Sequence, residues 1–291
     1  MPKRSVAEGF DLFLTWLTPY ETETASAARH RTSIESCLKR NYTLKRFWRT
    51  GSFGNGTSVS GYSDVDYFAC VATADLKQDS SVSLRLLKER LQATFPNTRI
   101  RVSSPAVVIE FGTDDWERHE IVLVDYVGDQ NNHKVYDIAD GKRGWMRASP
   151  DAHKTYVKSV DMNFNGKGRS LVRFMKAWKY YCNVPISSFY LELRVTEYAS
   201  GESSIIYPID VYRVLSRLKS KELAAMQDPM GVSGLISACA TDAEKRDALS
   251  KLDTAYSRAA KAIKAEENNK TEEAFYWWNL VFNDNFPSVN G

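Results

Sequence analysis

The 291 residues are 43% apolar and 26% charged, with a formal net charge of +3, close to the globular average. That balance excludes a disordered chain, a coiled-coil rod and a collagen-like repeat. No window approaches eighteen consecutive apolar residues, so no membrane span is expected, and the length suits two lobes sharing an interface. The first ten residues lack the apolar run of a secretory signal. Cys37, Cys70, Cys182 and Cys239 are scattered with no Cys-x-x-Cys pair, which reads as free thiols in a reducing cytoplasm, not a disulfide framework or zinc site.

Before residue 50 the pattern is helical. Phe10, Leu12, Phe13, Trp16 and Leu17 recur at roughly helical spacing until Pro19 interrupts. A second run from about Thr22 to Arg40 sets Ala25, Ala28, Ile34, Cys37 and Leu38 on one side. Arg29, Arg31, Lys39, Arg40, Lys45, Arg46 and Arg49 meet only Glu35 in this stretch, a basic patch that reads first as a solvated face. Beyond Arg46, short apolar runs at Val65 to Thr73, Ala106 to Phe111 and Ile121 to Val127 predict strands. Leu84, Leu87 and Leu91 predict a helix over Ser83 to Phe95. After Asp161 three helical faces follow, marked by Leu171, Phe174 and Trp178, by Val211, Leu215 and Leu218, and by Leu252, Tyr256 and Ile263. The expected fold is therefore α+β. Residues 1–160 make a mixed-sheet lobe with N-terminal helices, and residues 161–291 a helical lobe closing a cleft. The tail from Asn283 to Gly291 is polar and breaker-rich and should fray.

The segment from Gly51 to Asp66 carries the chemistry. Gly51, Ser52, Gly54, Gly56, Thr57 and Gly61 cannot build a core, but they can bring backbone N–H groups close to a phosphate chain. Asp64 and Asp66 then enter a strand two residues apart, so both carboxylates project from one face. Paired carboxylates beside a phosphate cradle make a site for Mg²⁺, or Mn²⁺ in its place, of the kind used in two-metal phosphoryl transfer. A third carboxylate is needed from a neighbouring strand. Asp125 is the single acid in the apolar run from Ile121 to Val127 and is the expected third ligand, with Glu110 the alternative. Asp114, Asp115, Glu117 and Glu120 read as loop acids.

Gly51-Ser52, Gly56-Thr57 and Asp64-x-Asp66 resemble the signature of the DNA polymerase β-type nucleotidyltransferases. Six fixed positions at about 6% each coincide by chance about once in 10⁷ starting points. Within that superfamily the chain is similar to the bacterial cGAS/DncV-like synthases of cyclic di- and trinucleotide second messengers in anti-phage defence. The likeness extends to Thr22-Glu23 before a helix with Arg31 and Ile34, Trp145 ahead of Pro150 and His153, Arg173 to Lys179, and Pro185 to Glu192. The resemblance implies a polymerase β-like core, ATP or GTP as substrates, and a cyclic product that reaches a downstream effector. It assigns Lys176 to the γ-phosphate, Ser188 to a second phosphate contact and Phe189 to stacking on a base. It implies ubiquitin-like conjugation at Gly291, and no required nucleic acid. Arg169, Arg173 and Lys176 also share one helix face by spacing, which an ordinary solvated face explains equally well. Two alternatives stay open: the same core acting on a tRNA 3′ end or a small-molecule hydroxyl, and a nucleic-acid-sensing module without catalysis.

Overall fold

The computed structural model describes residues 3–19, 21–62, 64–112 and 117–290 and, in the helix beginning at Glu21, the backbone alone for residues 21–24 and 26. In chain order the elements are α1 (Val6–Leu17), α2 (Glu21–Asn41), β1 (Leu44–Arg49), α3 (Gly51–Asn55), β2 (Val65–Val71), α4 (Ser80–Thr94), β3 (Arg99–Ser103) and β4 (Ala106–Phe111). Then follow β5 (Glu117–Gln130), β6 (His133–Ala139), β7 (Trp145–Ala148), α5 (Pro150–Met162), α6 (Lys167–Tyr181), α7 (Ser188–Ala199) and α8 (Tyr207–Ser220). The short pair β8 (Met226–Gln227) and β9 (Leu235–Ile236), then α9 (Asp242–Glu267) and α10 (Thr271–Val281), complete it. The fold is α+β. It divides into two units: Pro19–Tyr156 with Met230–Gly234, and Met1–Thr18 with Val157–Pro229 and Leu235–Gly291.

The first unit is built on one mixed sheet with the order β1-β2-β5-β4-β3, extended by β6 on the far half of β5 and by β7 on β6. Among the described residues β2 and β5 run parallel, while β1 and β4, beside them, are antiparallel. Side chains alternate along a strand, so each strand serves two layers. Val65, Tyr67, Ala69, Ile121 and Leu123 bury against Ile34 and Leu38 of α2 and Leu84, Leu87 and Leu91 of α4. Phe68, Cys70, Val122 and Val124 point the other way and join Tyr136 and Ile138 of β6. Asp79 starts α4 as its N-cap, accepting the Ser81 N–H at 2.9 Å.

The expected strands are present, with β5 longer than its apolar run implied. The stretch from Leu44 to Arg49 is a strand, not a continuation of helix, and Gly51–Asn55 is a five-residue helix inside what reads as loop. Both departures come from hydrogen bonds to β2: the Thr50 N–H donates to Asp66 O at 2.8 Å, fixing the turn between β1 and α3.

The helical unit claims α1, whereas the sequence reading kept the N-terminal helices with the sheet. Aromatic packing decides this. Phe10 and Phe13 are fully buried, with Phe10 at 5.1 Å from Phe174, 5.0 Å from Trp278 and 5.0 Å from Phe286, ring centre to ring centre. The tail does not fray up to Asn290. Phe286 is buried in that cluster, the Arg4 N–H donates to Val289 O at 3.0 Å, and the Arg4 guanidinium donates to Ser288 O and Asn290 O at 3.1 Å. Gly291, where conjugation was expected, lies outside the described residues, as do Asp114 and Asp115 and the Thr22 and Glu23 side chains. All four cysteines are free thiols. No helix among the described residues is long and apolar enough to cross a membrane.

Candidate functional site

The acidic site forms where β2 and β5 run side by side. Asp64 immediately precedes β2 and Asp66 lies in it; the register pairs Asp66 with Glu120 and Val65 with His119. Paired residues on adjacent strands share a face, so Asp66 and Glu120 project together on the side of Phe68 and Val122. Glu120, read from sequence as a loop acid, is thus the strand acid beside the Asp64-x-Asp66 pair. Burial, and then the Asp64 carboxylate, push the Glu120 carboxyl up from its ordinary value, against the pull of Arg118. The Arg118 guanidinium sits among these acids: its Nε is 3.3 Å from Asp64 Oδ1 and 3.7 Å from Glu110 Oε1, and its Nη2 is 3.9 Å from Glu120 Oε1.

Asp125 is not part of this cluster. It lies five residues beyond Glu120, about 17 Å along the strand, and has the opposite parity. It shares its side with Ile121 and Leu123, which face the helices. Its Oδ1 accepts the Thr73 hydroxyl at 3.0 Å, and its register partner Asp137 pairs with Arg147. The alternative, Glu110, is buried on β4 and paired with Arg99 at 3.2 Å and Arg101 at 3.3 Å. It neutralises a neighbouring arginine row and does not stand beside Asp66.

The glycine-rich segment packs directly on the acids. Gly51 has φ +55°, and a Cβ placed there would meet Asp66 Oδ2 at 1.7 Å, so only glycine fits. Gly56 closes α3 in the left-handed region at φ +72°. The Thr57 N–H then donates to Ser52 O at 2.9 Å, and Thr57 is wholly buried. Gly51, Ser52, Gly56 and Thr57 therefore form one tight turn whose first residue abuts the Asp66 carboxylate.

Lys176, Ser188 and Phe189 belong to the helical unit. Lys176 is 2% exposed and ion-paired with Glu192 of α7, so it does not share a solvated face with Arg169, which pairs with Asp161. Ser188 opens α7, with its Oγ 3.4 Å from the Tyr180 hydroxyl. Phe189 is 40% exposed, which rules out core packing as its role. Sequence reasoning missed Glu120 and Arg118. The signal was there: in Glu117-Arg118-His119-Glu120 the alternation that orders Ile121 to Val124 begins four residues earlier than the apolar run.

Residues 5–161 match the family model described as the Second Messenger Oligonucleotide or Dinucleotide Synthetase domain. A probable cyclic nucleotide synthase of Bacillus cereus (strain VD146) is 23% identical over 252 residues, covering 81% of this chain and 74% of that one. The cyclic AMP-AMP-AMP synthase of Escherichia coli (strain MS 115-1) is 26% identical over 210 residues, 68% of this chain and 64% of its own length. In fold, the chain is similar to the E. coli MS115-1 CdnC structure with ATP, at a TM-score of 0.75 and 19% identity, over 97% of this chain and 98% of that one.

Proposed function

Because the chain belongs to the Second Messenger Oligonucleotide or Dinucleotide Synthetase family, and so to the nucleotidyltransferases, we propose that it condenses nucleoside triphosphates into a cyclic oligonucleotide at Asp64, Asp66 and Glu120. The observation that carries this is the pairing of Asp66 with Glu120, with the Gly51 turn packed on the same carboxylate. ATP is the first substrate to try, since one relative is named a cyclic AMP-AMP-AMP synthase.

These residues fit divalent metal ions. The donors are hard carboxylate oxygens, with Asp66 and Glu120 paired in register across β2 and β5 and Asp64 two residues before Asp66. When bound, Mg²⁺ or Mn²⁺ would lower the pKa of an acceptor hydroxyl and neutralise charge on the leaving pyrophosphate. The chain's own contribution is placement. Asp64, Asp66 and Glu120 hold the charge that recruits the ions, and the first turn of α3, from Gly51 to Phe53, offers backbone N–H groups beside them. The family resemblance assigns phosphate contacts to Lys176 and Ser188 and a base face to Phe189. In each round the acceptor hydroxyl gives its proton to solvent water, its oxygen bonds to the α-phosphorus, and the bond to the departing pyrophosphate breaks. A final round within the linear product closes the ring.

The product would act in the cytoplasm as a second messenger on a separate effector during phage infection. The free thiols accord with that compartment. The test is incubation of the purified protein with each labelled triphosphate, singly and mixed, with Mg²⁺ or Mn²⁺. A phosphatase-resistant cyclic product is expected. Linear extension of an added tRNA, or no product from any mixture, overturns the reading.

A further inference from the structure

On the helix-covered side of the sheet, behind the acidic site, two histidines and a glutamate converge. Glu117 and His119 have odd parity on β5 and point toward α2, which supplies His30. The Nδ1 of His30 and the Nε2 of His119 each lie 2.7 Å from the same oxygen, Oε1 of Glu117. All three donor atoms fall within 4.8 Å of one another. Each ring packs against an aromatic neighbour. His30 stacks on Phe111 at 3.9 Å with the planes 3° apart, and His119 lies parallel to Tyr67 at 5.8 Å, also at 3°. Glu117 and His119 are buried, while His30 is a third exposed and leaves one side open to solvent.

The geometry points to a second metal site, in which His30, Glu117 and His119 bind a borderline transition ion such as Zn²⁺ with one position left for water. Two imidazoles and one carboxylate are a known donor set for that ion, whereas Mg²⁺ prefers oxygen alone. A tetrahedral ion with ligands at about 2.0–2.1 Å needs its donors about 3.3 Å apart. The Glu117 oxygen therefore has to retreat about 0.6 Å from each ring, and the two ring nitrogens, within 4.8 Å of one another, have to close to about the same 3.3 Å. With both rings neutral, the ion replaces the two protons now shared with Oε1, and those protons move to the rings' other nitrogens. The His119 Nδ1 has no hydrogen-bond partner among the described residues, so this exchange breaks no bond there. The ion joins α2 to the start of β5, the strand that carries Glu120. The site does not depend on the proposed synthase activity, because its ligands occupy the opposite face of the sheet from Asp66 and Glu120.

The test uses the full chain, freed of any affinity tag and dialysed against chelator. Co²⁺, whose visible spectrum reports four- or five-coordination by nitrogen and oxygen, is titrated first, and Zn²⁺ is then added in competition. One equivalent should develop that spectrum, Zn²⁺ should abolish it, and the thermal midpoint should rise with Zn²⁺. H30A and E117Q should each weaken binding by about tenfold or more, and H30A, at the exposed ligand, should fold normally. Asp66→Asn should bind as the parent does. No stoichiometric spectrum, equal binding by H30A, or loss of binding in Asp66→Asn would each overturn the proposal.

Discussion

On β5 the acids at 120 and 125 serve opposite faces of the sheet, because five residues is an odd number of steps along a strand. Glu120 therefore stands beside Asp66, and Asp125 turns toward the helix layer and a threonine hydroxyl. The two acids give a direct comparison. Glu120→Gln keeps the side chain's size and removes a charge that Asp64 opposes, so the thermal midpoint should hold or rise while synthesis falls about 10²–10³-fold or more. Asp125→Asn should leave synthesis near the parent rate. The measurement is cyclic product formed per unit time under saturating triphosphate, with a melting curve for each variant. Full activity in Glu120→Gln, or its loss in a well-folded Asp125→Asn, reverses the assignment of the third ligand.

Among the helices, α4 ties the loop before β7 to the sheet. The Asp79 carboxylate caps its first turn through Ser81 and pairs with Arg143, while Ser80 N–H donates to Arg143 O at 3.0 Å. Hydrogen bonds from Ser81 and Arg143 hold the Asp79 carboxyl down at about 2. A carboxyl depressed in the folded state stabilises above its unfolded pKa, about 3.9, and that contribution is lost as pH falls toward the folded value. Asp79→Ala should thus melt earlier than the parent at neutral pH, and the gap should narrow as pH drops below about 4. Melting curves across that range check it; a gap that stays constant into acid would mean the cap acts without its charge. Such local devices explain what was legible in the sequence. The apolar run at Val65–Val71 and the helically spaced leucines of α4 declare themselves within one segment. The closeness of Asp64 and Asp66 was legible for the same reason, as they lie two residues apart at the start of β2. The placement of Glu120 beside Asp66 was not, because it depends on a register with β2 across more than fifty residues. Neither was the placement of α1, whose apolar face fits any helical partner until Phe174 and Trp278 are brought to it.

At the scale of the molecule, a net charge of +3 leaves little long-range attraction for a polyanion, so the basic stretch from Arg29 to Arg49 decides. In the structure it is not one stripe. Arg31 pairs with Glu35 at 3.4 Å and donates to Phe47 O, and Lys39 pairs with the same glutamate at 2.8 Å. On β1 the charges split across the sheet. Arg46 lies over Trp48 at 3.9 Å and pairs with Asp151 at 2.9 Å, while Arg49 donates to the Tyr67 hydroxyl at 3.2 Å. Each internal partner lowers the gain from replacing counterions on a phosphate backbone, since the cation must first leave it. Duplex DNA or RNA should therefore bind weakly, with a log–log salt slope of about −3 or shallower, and should not accelerate synthesis. Anisotropy of a labelled duplex across a salt series gives the slope, and product formation with and without duplex gives the stimulation. A rise of roughly tenfold that disappears when Arg29, Arg31 and Lys39 are replaced would make this face a nucleic-acid sensor.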